Sequence, residues 1–417
     1  MQKLVALAVI ALAAPILSHT VLAAASEWSQ WRGPNRDGLS TETALLKEWP
    51  KDGPLLLWKT SGLGAGLSGI SVAGQRIFSM GDQTNGSHVL ALNRADGKIL
   101  WSTKLGKAGA PGWGGFAGPR ATPTADGGLV FTLGQYGEAI CVNAEDGQEV
   151  WHKHLTTDFD GPLMEWGFSE SPLVDGDKVL FTPGGPKGTV VALNKQTGDL
   201  IWQSKDWTDN AHYSSIIVAE IDGLRHYIQL TDKSVAGLAP KDGKVLWKAD
   251  RKGATAVIST PIYADGHVYV SSGYGIGCNL FKIAKGSDFT ATQVYANKVM
   301  VNHHGGVVKV GEHLYGHSDS KGWTCQNFKS GEAQWQQKDK LGKGSLVYAD
   351  GHLYCREEAE KGVVALLEAT PSGYREKGRF TPPDRSGKQS WPHPVVAGGK
   401  LYLRDQDVLL CYDVQAK

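Results

Sequence analysis

The chain has 417 residues, and its 43 Lys and Arg against 42 Asp and Glu give a formal net charge of +1 at pH 7. A nearly neutral chain without a basic block lacks the electrostatic pattern of a nucleic-acid-binding protein, and it is not drawn to a strongly anionic membrane surface. Its 53 Gly and 14 Trp favour many short strands over helices, because Gly punctuates turns and Trp fills large apolar gaps.

Residues 1–25 have the pattern of an export signal. Lys3 supplies the positive start, residues 4–17 are apolar, and Ala occupies positions 23–25, where a signal peptidase needs small residues. The apolar run is short for a membrane anchor. We therefore predict an exported chain without a transmembrane anchor, soluble after cleavage and located in the periplasm or outside the cell. Residues 26–54 are predicted to form an N-terminal extension.

From residue 55 the chain repeats a hairpin. An apolar strand is followed by an Asp-Gly or Thr-Gly turn, which supplies the positive φ of a tight hairpin, and a Trp stands four residues after the Gly. This Trp is large enough to dock between neighbouring sheets. Five copies end in the Trp residues Trp101, Trp151, Trp202, Trp247 and Trp335.

The spacing of these copies predicts the number of units. Consecutive copies lie 45 to 51 residues apart, but Trp247 and Trp335 are 88 apart, so a degenerate copy with Tyr295 in the Trp position is expected between them. A second hairpin precedes each copy, and two hairpins make the four-stranded blade of a propeller. A seventh blade is predicted to end near Phe380.

The last repeat, from Trp391 to Asp413, lacks a fourth strand, and the segment around Trp58 supplies one. Joining the two ends of the chain in one blade closes the ring and removes exposed sheet edges. We therefore predict an all-β fold: an eight-bladed β-propeller of four-stranded antiparallel blades over residues 55–417, closed by the N-terminal strand around Trp58.

The five cysteines form no CxxC, no CxxCH and no adjacent pair, so neither a zinc site nor covalent haem is indicated. Three of them stand where other repeats have Ala and are interpreted as small buried apolar residues. These three are Cys141, Cys325 and Cys411.

The repeat A/V-L-N-x-x-T/D-G-x-x-x-W resembles the motif of the pyrroloquinoline quinone (PQQ) propellers, and the resemblance covers residues 55–413. That superfamily includes quinoprotein alcohol dehydrogenases and the BamB-like lipoprotein of the outer-membrane barrel assembly machinery. The stretch from Trp28 to Gly38 is similar to the opening of many exported members. The resemblance implies the propeller fold and leaves two functions open, because the same propeller fold carries many different functions.

Two departures separate this chain from the members named. Quinoprotein dehydrogenases are usually longer and carry an adjacent cysteine pair beside the quinone, which this sequence lacks. The lipoprotein has a lipidated cysteine at its mature start, whereas the predicted cleavage region here contains no cysteine, so a lipid anchor is not expected.

In a propeller, the connectors from the outer strand of one blade to the inner strand of the next gather around one mouth of the channel, where we place the candidate site. The candidates for cofactor or ligand binding are Arg120, Trp166, Glu170, His212, His303, Lys343, Trp391 and His393.

A bound PQQ would need cations for its carboxylates, a ring to stack on and oxygen ligands for calcium. Arg120, Lys343 and Arg385 could meet the first need, Trp113, Trp166 or Trp391 the second, and Glu170 with Asn210 the third. Alternatively, His212, His303, His304 and His393 could hold a transition metal. Adjacent residues on a strand point to opposite faces, so only one of His303 and His304 is expected to enter the channel.

Two functions follow. The first is an exported, non-catalytic module that binds another exported or envelope protein, or a small molecule at the channel mouth, through its rim and mouth loops. The alternative is a PQQ- and calcium-dependent oxidoreductase acting on an alcohol or sugar. We assign no catalytic residue and no certain cofactor, and we expect a monomer that does not bind nucleic acid.

Overall fold

The computed structural model describes residues 27–112, 116–359 and 361–416. The predicted signal peptide and Trp113 of the first mouth connector lie outside the described residues. All regular elements within them are β-strands, and they contain no helix that is long and apolar enough to cross a membrane.

The strands follow one another in chain order. Two precede the first blade, β1 (Leu39–Ser40) and β2 (Leu55–Thr60). Blade 1 contains β3 (Ser71–Ala73), β4 (Arg76–Gln83), β5 (Gly86–Asn93) and β6 (Ile99–Gly106). Blade 2 contains β7 (Thr124–Asp126), β8 (Leu129–Leu133), β9 (Glu138–Asn143) and β10 (Glu149–His154). Blade 3 contains β11 (Leu173–Asp175), β12 (Lys178–Phe181), β13 (Val191–Asn194) and β14 (Leu200–Gln203).

The remaining blades repeat the pattern. Blade 4 contains β15 (Ile217–Ile221), β16 (Leu224–Leu230), β17 (Ser234–Leu238) and β18 (Val245–Asp250). Blade 5 contains β19 (Ile262–Ala264), β20 (His267–Ser272), β21 (Gly277–Lys285) and β22 (Phe289–Asn297). Blade 6 contains β23 (Val307–Val310), β24 (His313–Ser318), β25 (Gly322–Asn327) and β26 (Ala333–Gln337). Blade 7 contains β27 (Gly344–Ala349), β28 (His352–Glu357), β29 (Val364–Glu368) and β30 (Glu376–Phe380). Blade 8 contains β31 (Val395–Ala397), β32 (Lys400–Asp405) and β33 (Val408–Asp413).

The ring is closed as predicted. Strand β2 pairs antiparallel with β33, with Trp58 opposite Cys411, so blade 8 is built from both ends of the chain. The eight antiparallel blades confirm the predicted all-β propeller. All five cysteines are buried and free, and Cys141 and Cys325 also stand directly opposite a repeat Trp, as expected for small apolar residues.

Most repeat Trp residues dock on the next blade. The indole of Trp101 donates to the carbonyl of Ala144 at 3.2 Å, and a Cβ on Gly147, whose φ is +75°, would lie 2.6 Å from the Trp101 ring. The turn therefore requires Gly both for its backbone conformation and for the approach of the indole. Trp151, Trp202 and Trp335 donate in the same way to carbonyls of the following blade.

Blades 4 and 5 modify this pattern. The indole of Trp247 donates instead to His226 of its own blade at 3.0 Å, and the β21–β22 hairpin of blade 5 is longer than the corresponding hairpins of blades 4 and 6. Tyr295 takes the Trp position as predicted: its hydroxyl donates to the carbonyl of Phe328 in blade 6 at 3.0 Å.

The N-terminal extension lies inside the ring, which the sequence did not predict. Residues 28–40, here called the plug, contact the inner-strand region of seven blades. Trp28 pairs with Val72 of blade 1 through two backbone hydrogen bonds of 2.9 Å, and β1 runs parallel to the end of β27 in blade 7. The other contacts are Ser29 with Ala125, Trp31 with Thr260, Arg32 with Val307, Arg36 with Ser171 and Pro172, and Ser40 with Val396.

Two arginines and a glycine hold the plug in place. Both guanidinium groups are buried and donate to backbone carbonyls, Arg32 to Val307 at 2.6 Å and Arg36 to Ser171 at 2.7 Å. Gly38 has a φ of +78°, and a Cβ there would lie 2.9 Å from the Arg32 guanidinium. These contacts give a structural role to the Trp28–Gly38 stretch, which is similar to the opening of exported members of the superfamily.

Candidate functional site

The inter-blade connectors converge on one end of the channel, as predicted, and enclose a cavity of about 300 Å³. Seven of its lining residues are aromatic rings or proline, and one is a permanent cation. The lining residues are Trp31, Leu67, Phe116, Arg120, Trp166, Ser169, Ser171, Tyr213, Ser215, Ala256, Ile258, Tyr274, His303, His304, Trp391, Pro392 and His393.

The plug contributes to the wall of this cavity. The indole of Trp31 donates to the hydroxyl of Thr260 at 2.9 Å, and its ring lies 4.6 Å from the ring of His393. His393 in turn bonds the carbonyl of His304 at 3.0 Å. Burial, followed by the nearby Arg32 charge, lowers the pKa of His393 to about 3, so it is neutral at pH 7.

Arg120 is the cation of the cavity. It lies in the connector between blades 1 and 2, where Nη2 donates to the carbonyl of Phe116 at 2.7 Å. Its Nη1 finds no acceptor among the described residues. Burial lowers the pKa of Arg120 to about 10, which still leaves the guanidinium charged at pH 7. The group therefore keeps unused donor capacity beside the cavity.

Trp391 lies in the connector between blades 7 and 8 and contacts the connector that holds Arg120. Its indole ring lies 4.6 Å from Phe116 and 4.9 Å from His304, and its Nε1 donates to Glu358 at 2.8 Å. His304 bonds the same carboxylate oxygen. Burial alone would raise the pKa of Glu358, but the bonds from His304 and Trp391 and the Lys343 charge hold it at about 2.

His303 belongs to a second polar group. Its ring bonds the Lys343 amine at 2.6 Å and the Tyr274 hydroxyl at 2.9 Å, and Lys343 forms an ion pair with Asp319 at 3.2 Å. Burial, with smaller effects from His304 and Lys343, lowers the pKa of His303 to about 4. The imidazole is therefore neutral at pH 7 and lines the cavity as a hydrogen-bonding group.

The structure gathers only part of the predicted site. Five predicted residues line the cavity, whereas Lys343 lies behind His303. His212 is turned away, with Nδ1 accepting from the amide of Val257 at 3.2 Å. Asn210 forms an isolated backbone bridge with Gly184. The five are Arg120, Trp166, His303, Trp391 and His393.

Glu170 is buried apart from the cavity. Its carboxylate accepts from the backbone and hydroxyl of Thr182 and from the amide of Gln229. Burial raises its pKa to about 7, against the bonds from Thr182 and the charge of Arg36. The oxygen ligands considered for calcium, Glu170 and Asn210, are not presented to the cavity. The residues that line the cavity therefore do not fit a calcium-bound tricarboxylate.

The histidine expectations need correction. His303 and His304 both line the cavity, because they lie in a connector and not on a strand, so the expectation that only one enters the channel was wrong. Within the described ranges, no three His, Cys, Asp or Glu side chains are grouped so that they could hold a metal ion. The predicted four-histidine metal set is therefore not assembled.

Sequence reasoning assigned no role to several contributors to this site, among them Trp31, Tyr213 and Glu358. Tyr213, whose ring lies 5.9 Å from Trp166, directly follows the predicted candidate His212. Trp31 could not be placed because nothing local shows that the extension enters the channel. Glu358 follows β28 inside blade 7 and bears no repeat signal.

The sequence profile of the family described as "Outer membrane protein assembly factor BamB" matches residues 85–337, more than half of the chain. The BamB protein of Yersinia pestis is 25% identical over 223 residues, which cover 49% of this chain and 52% of that protein. The chain thus spans about half the length of this curated relative.

Solved structures share the fold. The crystal structure of BamB from Moraxella catarrhalis matches with a TM-score of 0.62 at 15% identity, covering 86% of this chain and 99% of that one. The quinohemoprotein alcohol dehydrogenase of Comamonas testosteroni matches with a TM-score of 0.65 at 11% identity, covering 94% and 81%. At these identities the likeness concerns the propeller alone.

Proposed function

The chain belongs to the family described as outer membrane protein assembly factor BamB, and from this premise we propose that it is an exported, non-catalytic binding module of the cell envelope. Its partner is another envelope protein, which docks on the connectors around the channel mouth. The relatives whose names describe an assembly factor support this class of partner.

One observation carries the proposal: the mouth connectors present aromatic side chains on a rigid, closed ring. Exposed or half-buried rings such as Trp166 and Trp391 are the residue type that contributes most to protein–protein binding energy. The neighbouring ionisable groups bond one another, Glu358 with His304 and His303 with Lys343. These bonds support a role in holding the connectors in position.

Two exposed leucines on opposite faces allow a matched test by photocrosslinking in the envelope. Leu163 lies in the mouth connector between blades 2 and 3, and Leu224 begins β16 at the opposite face; their exposed fractions are 42% and 38%. With a photoreactive amino acid at each position in turn, we expect an adduct with an envelope protein from position 163 and none from 224. Equal adducts from both positions, or none from 163, would contradict docking at the mouth.

The quinone-dependent alternative is tested separately. The purified chain is titrated with PQQ and calcium and monitored for a quinone absorption band and for alcohol-dependent dye reduction. We expect neither, since Glu170 and Asn210 do not face the cavity. Calcium-dependent dye reduction would replace the binding-module proposal with the oxidoreductase.

A further inference from the structure

The mouth cavity has the dimensions and lining of a small-molecule site, which goes beyond docking of a protein on the rim. Its volume of about 300 Å³ lies at the lower end of ligand pockets, which hold about 300–1,000 Å³. Phe116 and Trp391 form one wall with ring centroids 4.6 Å apart, and Trp166 and Tyr213 form another at 5.9 Å. Two aromatic pairs in one lining favour a ligand with a flat, apolar body.

The charges around the cavity favour an anion. Among the described residues that line it, Arg120 is the one Lys or Arg and none is Asp or Glu. The carboxylates around the cavity have other partners: Glu358 is bonded by His304 and Asp319 by Lys343, and Asp82, whose charge acts on Arg120, accepts from Gly109 and Gln135. An anionic ligand would therefore meet a guanidinium that no carboxylate of the described residues bonds directly, in a partly desolvated site where such hydrogen bonds are strong.

The hydrogen-bond count around Arg120 agrees with this. A guanidinium has five N–H donors, and here Nη2 serves the carbonyl of Phe116 while Nη1 has no acceptor in the described part of the chain. The hydroxyl of Ser169, which also lines the cavity, lacks a partner as well. Both atoms are covered by neighbouring protein atoms, so a carboxylate on a ring would reach and satisfy these unpaired donors after a small shift of the two side chains.

We propose that this cavity binds a small aromatic molecule with a single anionic group, with Arg120 contacting the anion and Trp166 and Trp391 contacting the ring. Such a ligand differs from a tricarboxylate held by calcium because one fixed cation matches one negative charge. The plug closes the cavity at Trp31, so the ligand enters and leaves through the mouth.

The test uses 1-naphthoate as the probe, with binding followed by quenching of tryptophan fluorescence and by calorimetry. Two probes of the same shape serve as controls: neutral 1-naphthamide and cationic 1-naphthylmethylammonium. We expect naphthoate to bind at least tenfold more tightly than either. Equal affinity for the three probes, or no binding of naphthoate, would overturn the proposal.

Variants assign the anion contact. Arg120→Gln should weaken naphthoate binding about tenfold without changing the affinity for naphthamide, and Arg120→Lys should restore part of the preference because it keeps the charge. Arg225→Gln, at an exposed arginine of blade 4 outside the cavity, should leave both affinities unchanged. If Arg120→Gln weakened the binding of naphthoate and naphthamide equally, and Arg120→Lys restored neither, the anion contact would be contradicted.

Two further measurements separate this inference from its rivals. The Leu163 photocrosslink, repeated in Arg120→Gln, should persist, since partner docking does not require the small ligand. If PQQ displaces naphthoate in a calcium-dependent manner and with higher affinity, the site is a quinone site and the proposal fails.

Discussion

The two ends of the central channel are bounded by the same eight blades but are filled in opposite ways. At the mouth, side chains from the connectors leave an aromatic cavity beside an incompletely bonded cation, Arg120. Beyond it, the plug fills the channel with backbone pairing and the buried guanidinium groups of Arg32 and Arg36. One end therefore contributes stability, whereas the other leaves a cavity among loops on a rigid scaffold, which is where function is commonly found.

Removing a plug arginine should have the largest effect. Arg36→Ala leaves the carbonyls of Ser171 and Pro172 without their donor and removes the positive charge near Glu170. We expect the free energy of unfolding to fall by about 3 kcal/mol, because buried acceptors lose charged hydrogen bonds. Urea denaturation measures this loss. Arg225→Ala, at an exposed ion pair, is the control and should lower the free energy of unfolding by less than about 1 kcal/mol. An equal loss in the two variants would show that the plug does not stabilise the ring.

Removing a mouth ring should cost less stability. Trp166 is partly exposed and packs edge-on against Tyr213. For Trp166→Ala we expect a loss of about 1 kcal/mol, since only part of the ring area is removed from water on folding. The same denaturation series provides the measurement. A loss as large as that of Arg36→Ala would erase the distinction between the two ends.

The pH dependence should be smaller than either contribution to it taken alone, because the histidines of the mouth and the buried Glu170 beside the plug oppose each other. Burial lowers the folded-state pKa of His303 to about 4 and of His393 to about 3, below the ordinary value of 6.5. The unfolded chain therefore takes up protons first, and stability is lost as the pH falls below 6.5. Burial raises the pKa of Glu170 from 4.5 to about 7. Its contribution to the free energy of unfolding therefore decreases as the pH rises from 4.5 to 7.

Thermal midpoints at pH 7 and pH 5 separate these contributions. Glu170→Gln should make the loss of stability at pH 5 larger, because the opposing carboxyl is gone, and His303→Asn should make it smaller. Unchanged pH slopes in both variants would show that these buried groups do not control the acid response.

Regular spacing made the blades predictable. A Gly four residues before a Trp recurs because a tight turn needs a positive φ and the indole needs the space that a side chain would occupy, as at Gly147 and Trp101. The same logic correctly placed Tyr295 and joined Trp58 to the last repeat. It did not show that Trp247 bonds His226 within its own blade, since this contact joins two different strands.

The site was predictable only as a region. Propeller topology brings all inter-blade connectors to one mouth, so Arg120, Trp166, His303, Trp391 and His393 could be grouped in advance. Glu170 belongs to the same set of connectors but turns into the protein, because its bonds to Thr182 and Gln229 lie there. A side chain's direction depends on such distant partners, which connector sequence does not encode.

The number of blades, their four strands and the closure of the ring could be predicted, because they follow from local turn chemistry repeated along the chain. The position of residues 28–40 inside the ring, and the lack of an acceptor for Arg120 Nη1 among the described residues, could not be predicted. Both depend on contacts between residues far apart in the chain, such as Arg32 with Val307, whose energies arise only once the ring exists.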